Sequence, residues 1–233
     1  MVGMTQRDLT NWAIFLVMAM GTTVYLVSFA RLVGQENEML AFASATTTVA
    51  SSSAEKSPTE TTTQSTKKIM NATFTTNLGS FEVEFYSEAA PKTVENFTKL
   101  AKSGFYDGTR FHRVIKGFMI QGGDPNSKDV TLQARWGTGD PGYKFADEIN
   151  PKAEPYLTGY KRGVLAMANS GPDTNGSQFF VMHADYPLPP NYTIFGHVTS
   201  GIEAIDTIAS TPTTGGPYDR PLSEVVLQSV VVK

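Results

Sequence analysis

TFTTNLGSFEVEFYSEAAPKTVENFTKLAKSG, residues 73–104, sets the class of the fold. Phe81, Val83 and Phe85 fall on one side of an extended chain and Glu82 and Glu84 on the other, the period-two pattern of a half-buried strand. Thr73–Thr76 before them and the turn signal Asn77-Leu78-Gly79-Ser80 between complete a β-hairpin. The period then changes. Pro91 opens a helix, Val94, Phe97, Leu100 and Ala101 form its buried stripe, and Gly104 offers a left-handed C-terminal stop.

Downstream, short strands are predicted over Arg110–Val114, Phe118–Gln121, Gly163–Met167, Gln178–Met182 and Thr193–Val198. Thr199 and Ser200 can cap a second helix that buries Ile202, Ile205 and Ile208, and the chain ends on a strand, VVLQSVVV. Residues 70–233 therefore read as one mostly antiparallel domain of short strands with two helices. A domain of this size buries close to about 70% of its extended-chain surface.

Upstream the composition is different. Residues 44–66, SATTTVASSSAEKSPTETTTQST, contain no Leu, Ile or aromatic residue and cannot bury enough apolar surface to offset the entropy of ordering them. With their flanks, residues 31–69 read as a flexible Ser/Thr-rich linker. Residues 9–30, LTNWAIFLVMAMGTTVYLVSFA, carry no charge and as a helix span about 33 Å, enough to cross a hydrocarbon core of about 30 Å. Trp12 suits a membrane interface, and residues 1–8 form a short flank. The reading is an uncleaved signal anchor in the lipid bilayer, with the large C-terminal part extracytoplasmic. The alternatives are a buried core helix or a cleaved signal peptide, with secretion after cleavage near Ala41–Ala43 or Ala43–Ala45, although the apolar stretch exceeds the usual signal length.

The 233 residues include no cysteine, which removes thiol nucleophiles, disulfides and Cys-ligated metals. Nineteen basic against 22 acidic residues give no footprint for nucleic acid. Neither a G-x-S-x-G elbow, an H-E-x-x-H helix nor a phosphate-binding glycine loop is present. What period-two geometry offers is a surface. Phe111 with Arg113, Met119 with Gln121, and Gln178 with Phe180 each share a face of a predicted strand. If those faces converge, an arginine and two glutamines stand beside a pocket of Phe and Met, suited to an extended backbone and one apolar ring. From periodicity alone Arg113 reads as an ordinary exposed arginine.

FHRVIKGFMIQGGDP (111–125), GVLAMANSGPDTNGSQFFV (163–181) and YTIFGHV (192–198), with AAPKTVENF (89–97) upstream, resemble in order and spacing the signatures of cyclophilin-type peptidyl-prolyl cis–trans isomerases. The resemblance runs from about Met70 to Lys233. It implies a closed eight-stranded antiparallel barrel capped by two α-helices, acting without cofactor or metal. It places the catalytic arginine at Arg113 and the proline pocket at Phe118, Met119, Phe180 and Leu188. Groups that bind the substrate backbone fall on Gln121, Ala168, Asn169 and Gln178, and Gly137 falls on the loop flanking the groove.

Three departures stand out. Pro187 occupies the place where many members carry a Trp before the Leu, which bears on cyclosporin-like ligands more than on catalysis. Tyr192 replaces a frequent His and still offers a flat ring and a hydroxyl. Residues 126–136 lengthen the loop after QGGD, either shaping the groove's rim or making a neutral insertion. Four Asn-x-Ser/Thr matches, at Asn71, Asn96, Asn175 and Asn191, read as chance, and His112, His183 and His197 as ordinary positions, His112 pointing away from Arg113. The expected function is a membrane-tethered prolyl isomerase, monomeric in its catalytic domain, acting on proline-containing polypeptides that are unfolded or secreted. The competing expectation is a silent proline-peptide binding module or chaperone using the same groove.

Overall fold

The structure is a computed structural model that describes residues 70–233. The flank 1–8, the apolar stretch 9–30 and the linker 31–69, with the anchor, signal and tether readings attached to them, lie outside the described residues. Among the described residues no helix is long and apolar enough to cross a membrane.

Strands β1 (Asn71–Thr76) and β2 (Gly79–Phe85) form the hairpin, with Phe74 opposite Phe81 and Ala72 opposite Val83. Further strands are β3 (Thr109–Arg110), β4 (Arg113–Ile115), β5 (Met119–Gly122), β6 (Val164–Met167), β7 (Phe179–Met182), β8 (Ile194–Ser200) and β9 (Val226–Val232). All pair antiparallel in one sheet of order β3-β9-β1-β2-β8-β6-β7-β5-β4. The two edge strands, β3 and β4, are joined in the chain by Phe111 and His112 alone, so the sheet curls round on itself into a half-barrel. No ladder links these edges, so the architecture is a curled nine-stranded sheet where the sequence led us to expect a closed eight-stranded barrel.

The cause of the extra strand is local. Arg110–Val114, expected as one strand, breaks at Phe111-His112. Phe111 turns inward, its N–H donating to the Val225 carbonyl at 2.9 Å and its ring meeting Phe179 edge-on at 6.1 Å. Arg113 resumes the ladder with its side chain at a cavity on the other face. Phe111 and Arg113 therefore do not share a face, because period-two alternation stops where the strand does.

Helix α1 (Pro91–Lys102) packs into the sheet's inner face. Its Phe97 ring lies 4.8–5.7 Å from the rings of Phe74, Phe85, Tyr106, Phe179 and Phe195, and is the hub of the main core. The helix has no local cap: Ala90 stands at its N-cap position. Glu148 reaches in instead, accepting from the Lys92 N–H at 3.0 Å, the Thr93 N–H at 2.8 Å and the Thr93 hydroxyl at 2.8 Å. A carboxylate there satisfies orphan donors and meets the positive end of the helix dipole. Helix α2 (Ile202–Ala209) buries Ala204, Ile205, Ile208 and Ala209. Its N-cap is not Thr199 or Ser200, which are still in β8, but Gly201 at φ +73, where a Cβ would overlap the Ser80 carbonyl oxygen.

Strands β5, β6 and β7 are buried on both faces. Ile120, Val181, Leu165, Phe179 and Met167 join the main inner core. Met119, Phe180, Met182, Val164 and Ala166 form a second cluster outside it with Tyr160 and Ile194.

His112 is 4% exposed, and burial pushes its imidazole from 6.5 down to about 4 against the pull of the nearby Asp124 carboxylate. The unfolded chain takes up a proton below pH 6.5 and the folded chain only near pH 4, so folding stability falls as pH drops through that window. The loss is on the order of 3 kcal/mol, and denaturant unfolding of His112→Gln between pH 7 and 4 should show a flatter pH dependence than the parent chain. Glu148→Ala should lower stability at pH 7 by about 1–2 kcal/mol, read as a reduced unfolding midpoint with an unchanged denaturant slope.

Candidate active site

The outer face of the sheet gathers the site because of register. Arg113 is opposite Gln121, Gln121 opposite Phe180, and Phe180 opposite Ala166, so four residues on β4, β5, β7 and β6 stand in one row. Directly paired residues point to the same side. This row brings an arginine, an amide and an aromatic ring into contact range without any loop having to place them.

Around that row the structure opens a cavity of about 140 Å³ lined by Arg113, Phe118, Met119, Gln121, Ala168, Asn169, Phe180, Leu188 and Tyr192. All nine were singled out in the sequence. Gly137 and Gln178 lie in an adjoining cavity of about 110 Å³, which shares Gln121, Ala168 and Asn169 with the first and adds Thr138, Gly139, Asp140 and Lys144. The two form a continuous groove: one end apolar, the other polar and edged by glycines.

Hydrogen bonds fix the polar end. Gln121 Nε2 donates to Gln178 Oε1 at 3.1 Å, and Gln178 Nε2 donates to the Gly139 carbonyl at 2.9 Å. Behind the rim, the fully buried Asp124 carboxylate accepts from the Asn126 N–H at 2.8 Å and from the Gly137 N–H. A Cβ at Gly139 would overlap that carboxylate, which is why the rim is glycine there. Asn169 has its side chain committed elsewhere: Nδ2 donates to the Asn191 carbonyl at 2.8 Å and Oδ1 accepts from the Gly171 N–H at 3.2 Å. Residues 126–136 line neither cavity; they form two short 3-10 turns, Pro125–Lys128 and Val130–Arg135, tied to the rim by Asn126 Nδ2 donating to Thr138 Oγ1 at 3.4 Å.

The apolar end is walled by rings. Tyr192 meets Phe180 edge-on at 5.5 Å, and Tyr186 lies against Phe118 at 4.6 Å, beside the position where Pro187 stands. Tyr192 is itself held from behind. Tyr160 Oη donates to its carbonyl at 2.8 Å and accepts from its N–H at 3.2 Å, while Tyr156 Oη lies 3.3 Å from the same carbonyl and accepts from the Ile194 N–H at 3.0 Å. Burial raises both phenols, Tyr160 to about 12 and Tyr156 further, so they remain donors throughout the neutral range.

Sequence reasoning missed Tyr156, Tyr160 and Tyr186, which lie in stretches without periodicity. It also read His183 as an ordinary loop position. His183 Nδ1 accepts from the Gly117 N–H at 2.9 Å and Nε2 lies 3.3 Å from Asp206 Oδ1, so the turn before Phe118 is latched to α2. His112 lies in the break between β3 and β4, buried beneath Gly137. Asn175, one of the glycosylation matches, is fully buried, its Nδ2 donating to Asp147 Oδ1 at 2.7 Å.

Comparison with known proteins gives the same family from three directions. Residues 71–232 match the family described as cyclophilin type peptidyl-prolyl cis-trans isomerase/CLD. The peptidyl-prolyl cis-trans isomerase CYP18-1 of Arabidopsis thaliana is 49% identical over 164 residues, covering 70% of this chain and 96% of the plant protein. Peptidyl-prolyl cis-trans isomerase B of Streptomyces anulatus is 47% identical, covering 70% of this chain and 95% of that protein. The crystal structure of a Cryptosporidium parvum cyclophilin type peptidyl-prolyl cis-trans isomerase superposes with a TM-score of 0.61 at 35% identity, covering 71% of this chain and 98% of that one. The same parasite protein has been crystallised in the presence of the dipeptide ala-pro. With 47–49% identity over the 70% of the chain that matches nearly the full length of these relatives, and with the family match over residues 71–232, the chain belongs to the cyclophilin-type peptidyl-prolyl cis–trans isomerases.

Proposed function

We propose that the groove accelerates rotation about X–Pro bonds, with Arg113 as the catalytic residue. The barrier to such rotation is about 18–20 kcal/mol in a simple peptide bond, and prolyl isomerisation is slow enough to limit folding. At the transition state amide resonance is lost and the prolyl nitrogen regains a lone pair. A fixed donor aimed at that nitrogen binds the twisted state better than either planar one, and so lowers the barrier. The observation that carries this reading is a cavity that combines a guanidinium with an apolar floor of Phe118, Met119, Phe180 and Leu188. The floor seats the ring. Gln121 and Gln178, with the main chain at Ala168 and Asn169, hold the backbone on one side of the bond while the other side turns; Gly137 and Tyr192 bound the groove. The ala-pro dipeptide used with the parasite relative fits such a site.

A protein that only binds proline peptides has no need of the arginine. We further propose that residues 9–30 anchor the chain in a membrane and that residues 31–69 hold the catalytic domain off it on the extracytoplasmic face. There it would assist secreted or membrane proteins as they fold. The support is the uncharged stretch LTNWAIFLVMAMGTTVYLVSFA followed by a Ser/Thr-rich spacer. Release by signal cleavage is the alternative.

In a protease-coupled proline assay the full chain should turn over, and Arg113→Ala should reduce kcat/KM by about 10²–10³-fold, the usual cost of removing one preorganised donor. Equal rates for the two chains would leave the binding-module reading. Since no proton moves in this mechanism, kcat should stay level between pH 6.5 and 8.5, and a bell centred near 7 would count against it. Deleting residues 1–30 should shift the protein from the membrane pellet to the soluble fraction; a parent chain already soluble at full size would remove the anchor.

A further inference from the structure

Beside the groove, on an element that neither the sequence motifs nor the mechanism has used, stands Asp219. Its carboxylate Oδ2 lies 3.8 Å from Arg113 Nε. Its main-chain carbonyl accepts from the Val114 N–H at 2.9 Å, on the residue directly after Arg113. It also takes φ 49, a left-handed conformation that only one other non-glycine residue among those described, Asp173, adopts. Aspartate tolerates that region better than most side chains, yet a residue held there still marks a place where the surroundings over-determine the backbone.

The surroundings do so here. Thr213 and Pro221 bridge the two arms of the loop. Thr214 N–H donates to the Arg220 carbonyl at 2.8 Å, Asp219 N–H to the Gly215 carbonyl at 3.0 Å, and Leu222 N–H to the Pro212 carbonyl at 2.8 Å. Arg220 N–H donates to Thr214 Oγ1 at 3.1 Å, and the Arg220 guanidinium stacks 4.5 Å over the Tyr218 ring. These bonds tie down the backbone of the loop around Asp219 and hold the residue beside β4.

We propose that Asp219 is a positioning residue for Arg113. It rests on the reading of Arg113 as the donor to the prolyl nitrogen. The contact is to Nε, the donor nearest the stem of the guanidinium, and not to the Nη groups at the end of the fork. The pair adds little to stability, because the side chains are 40% and 21% exposed and such pairs are screened. Its effect is on conformation. Arg113 is a long side chain at the edge strand of the sheet, and without a partner it would spread over many rotamers, few of which aim at the pocket. The main-chain bond to Val114 and the side-chain contact to Arg113 come from the same residue, so the loop sets strand and guanidinium together.

The test measures kcat and KM for proline isomerisation in the full chain as wild type, Asp219→Asn, Asp219→Gly, Arg113→Ala and the double variant Arg113→Ala/Asp219→Asn. Asparagine and glycine both accept the left-handed backbone and keep the carbonyl that docks on Val114, so a purely structural role predicts wild-type kinetics for both. The expected result is a fall in kcat of about tenfold in both single variants, with KM and the unfolding midpoint within about twofold and a degree or two of the parent, and no further loss when Asp219→Asn is added to Arg113→Ala. Wild-type kcat in Asp219→Asn, a change in KM alone, or an equal loss in the Arg113→Ala background overturns the inference while leaving the isomerase reading intact. A wild-type chain no faster than Arg113→Ala overturns both.

Discussion

The site depends on the register of four short strands. Arg113, Gln121, Phe180 and Ala166 form one row only because β4, β5, β7 and β6 are held in one alignment, and burial of β5, β6 and β7 on both faces locks it. A slip of one residue along β5 would turn Ile120 into the groove and Gln121 into the aromatic core, exchanging an apolar side chain for an amide on each side. Two-sided burial makes that exchange costly in both directions. An outer face carrying a polar groove is thus held rigid by an inner face packed around Phe97.

Glu148 shows how the two faces are coupled. Its side chain caps α1, whose Phe97 is the hub of the inner core, while its N–H donates to Thr193 Oγ1 at 3.0 Å and its carbonyl accepts from Tyr156 Oη at 3.1 Å. Tyr156 also reaches the main chain at Tyr192 and Ile194, the groove's aromatic wall. One residue thereby ties the helix that fills the core to the wall that faces a ligand. Neither contact is local in sequence, since Glu148 and Thr93 are separated by 55 positions and Tyr192 and Tyr156 by 36.

This distribution explains what could be read from the chain and what could not. The first hairpin and α1 were legible because one face is buried and the other is not, so Phe81, Val83 and Phe85, or Val94, Phe97 and Leu100, announce a period. In β5, β6 and β7 apolar residues face both ways, and periodicity there cannot tell core from groove; alternation set Met119 beside Gln121 and Phe180 beside Gln178, and the motif resemblance assigned both to the proline pocket. The break at Phe111-His112 escaped notice because an aromatic and a buried histidine look like strand residues, and the missing ladder bonds leave no trace in composition. Asp219, Tyr156 and Tyr160 lie among Gly, Pro and Thr in segments that carry turn signals and nothing else. Their roles arise from distant backbone atoms they happen to reach, which only the folded chain specifies.

The electrostatics of the groove follow from the same arrangement. Burial keeps Tyr156 and Tyr160 protonated and His112 neutral through the neutral range, so none of these groups changes charge near the pocket under ordinary conditions. An arginine guanidinium stays protonated throughout that range. A reaction that needs a steady donor rather than a proton carrier gains nothing from a tuned base. It gains from a donor whose direction is fixed before substrate arrives, because reorganisation at the moment of rotation would return the barrier the donor removes. Strand register fixes the base of Arg113, and the loop at Asp219 meets its Nε. The apolar floor of Phe118, Met119, Phe180 and Leu188 lines the same cavity as that donor, so a ring and a charge are offered to one bond.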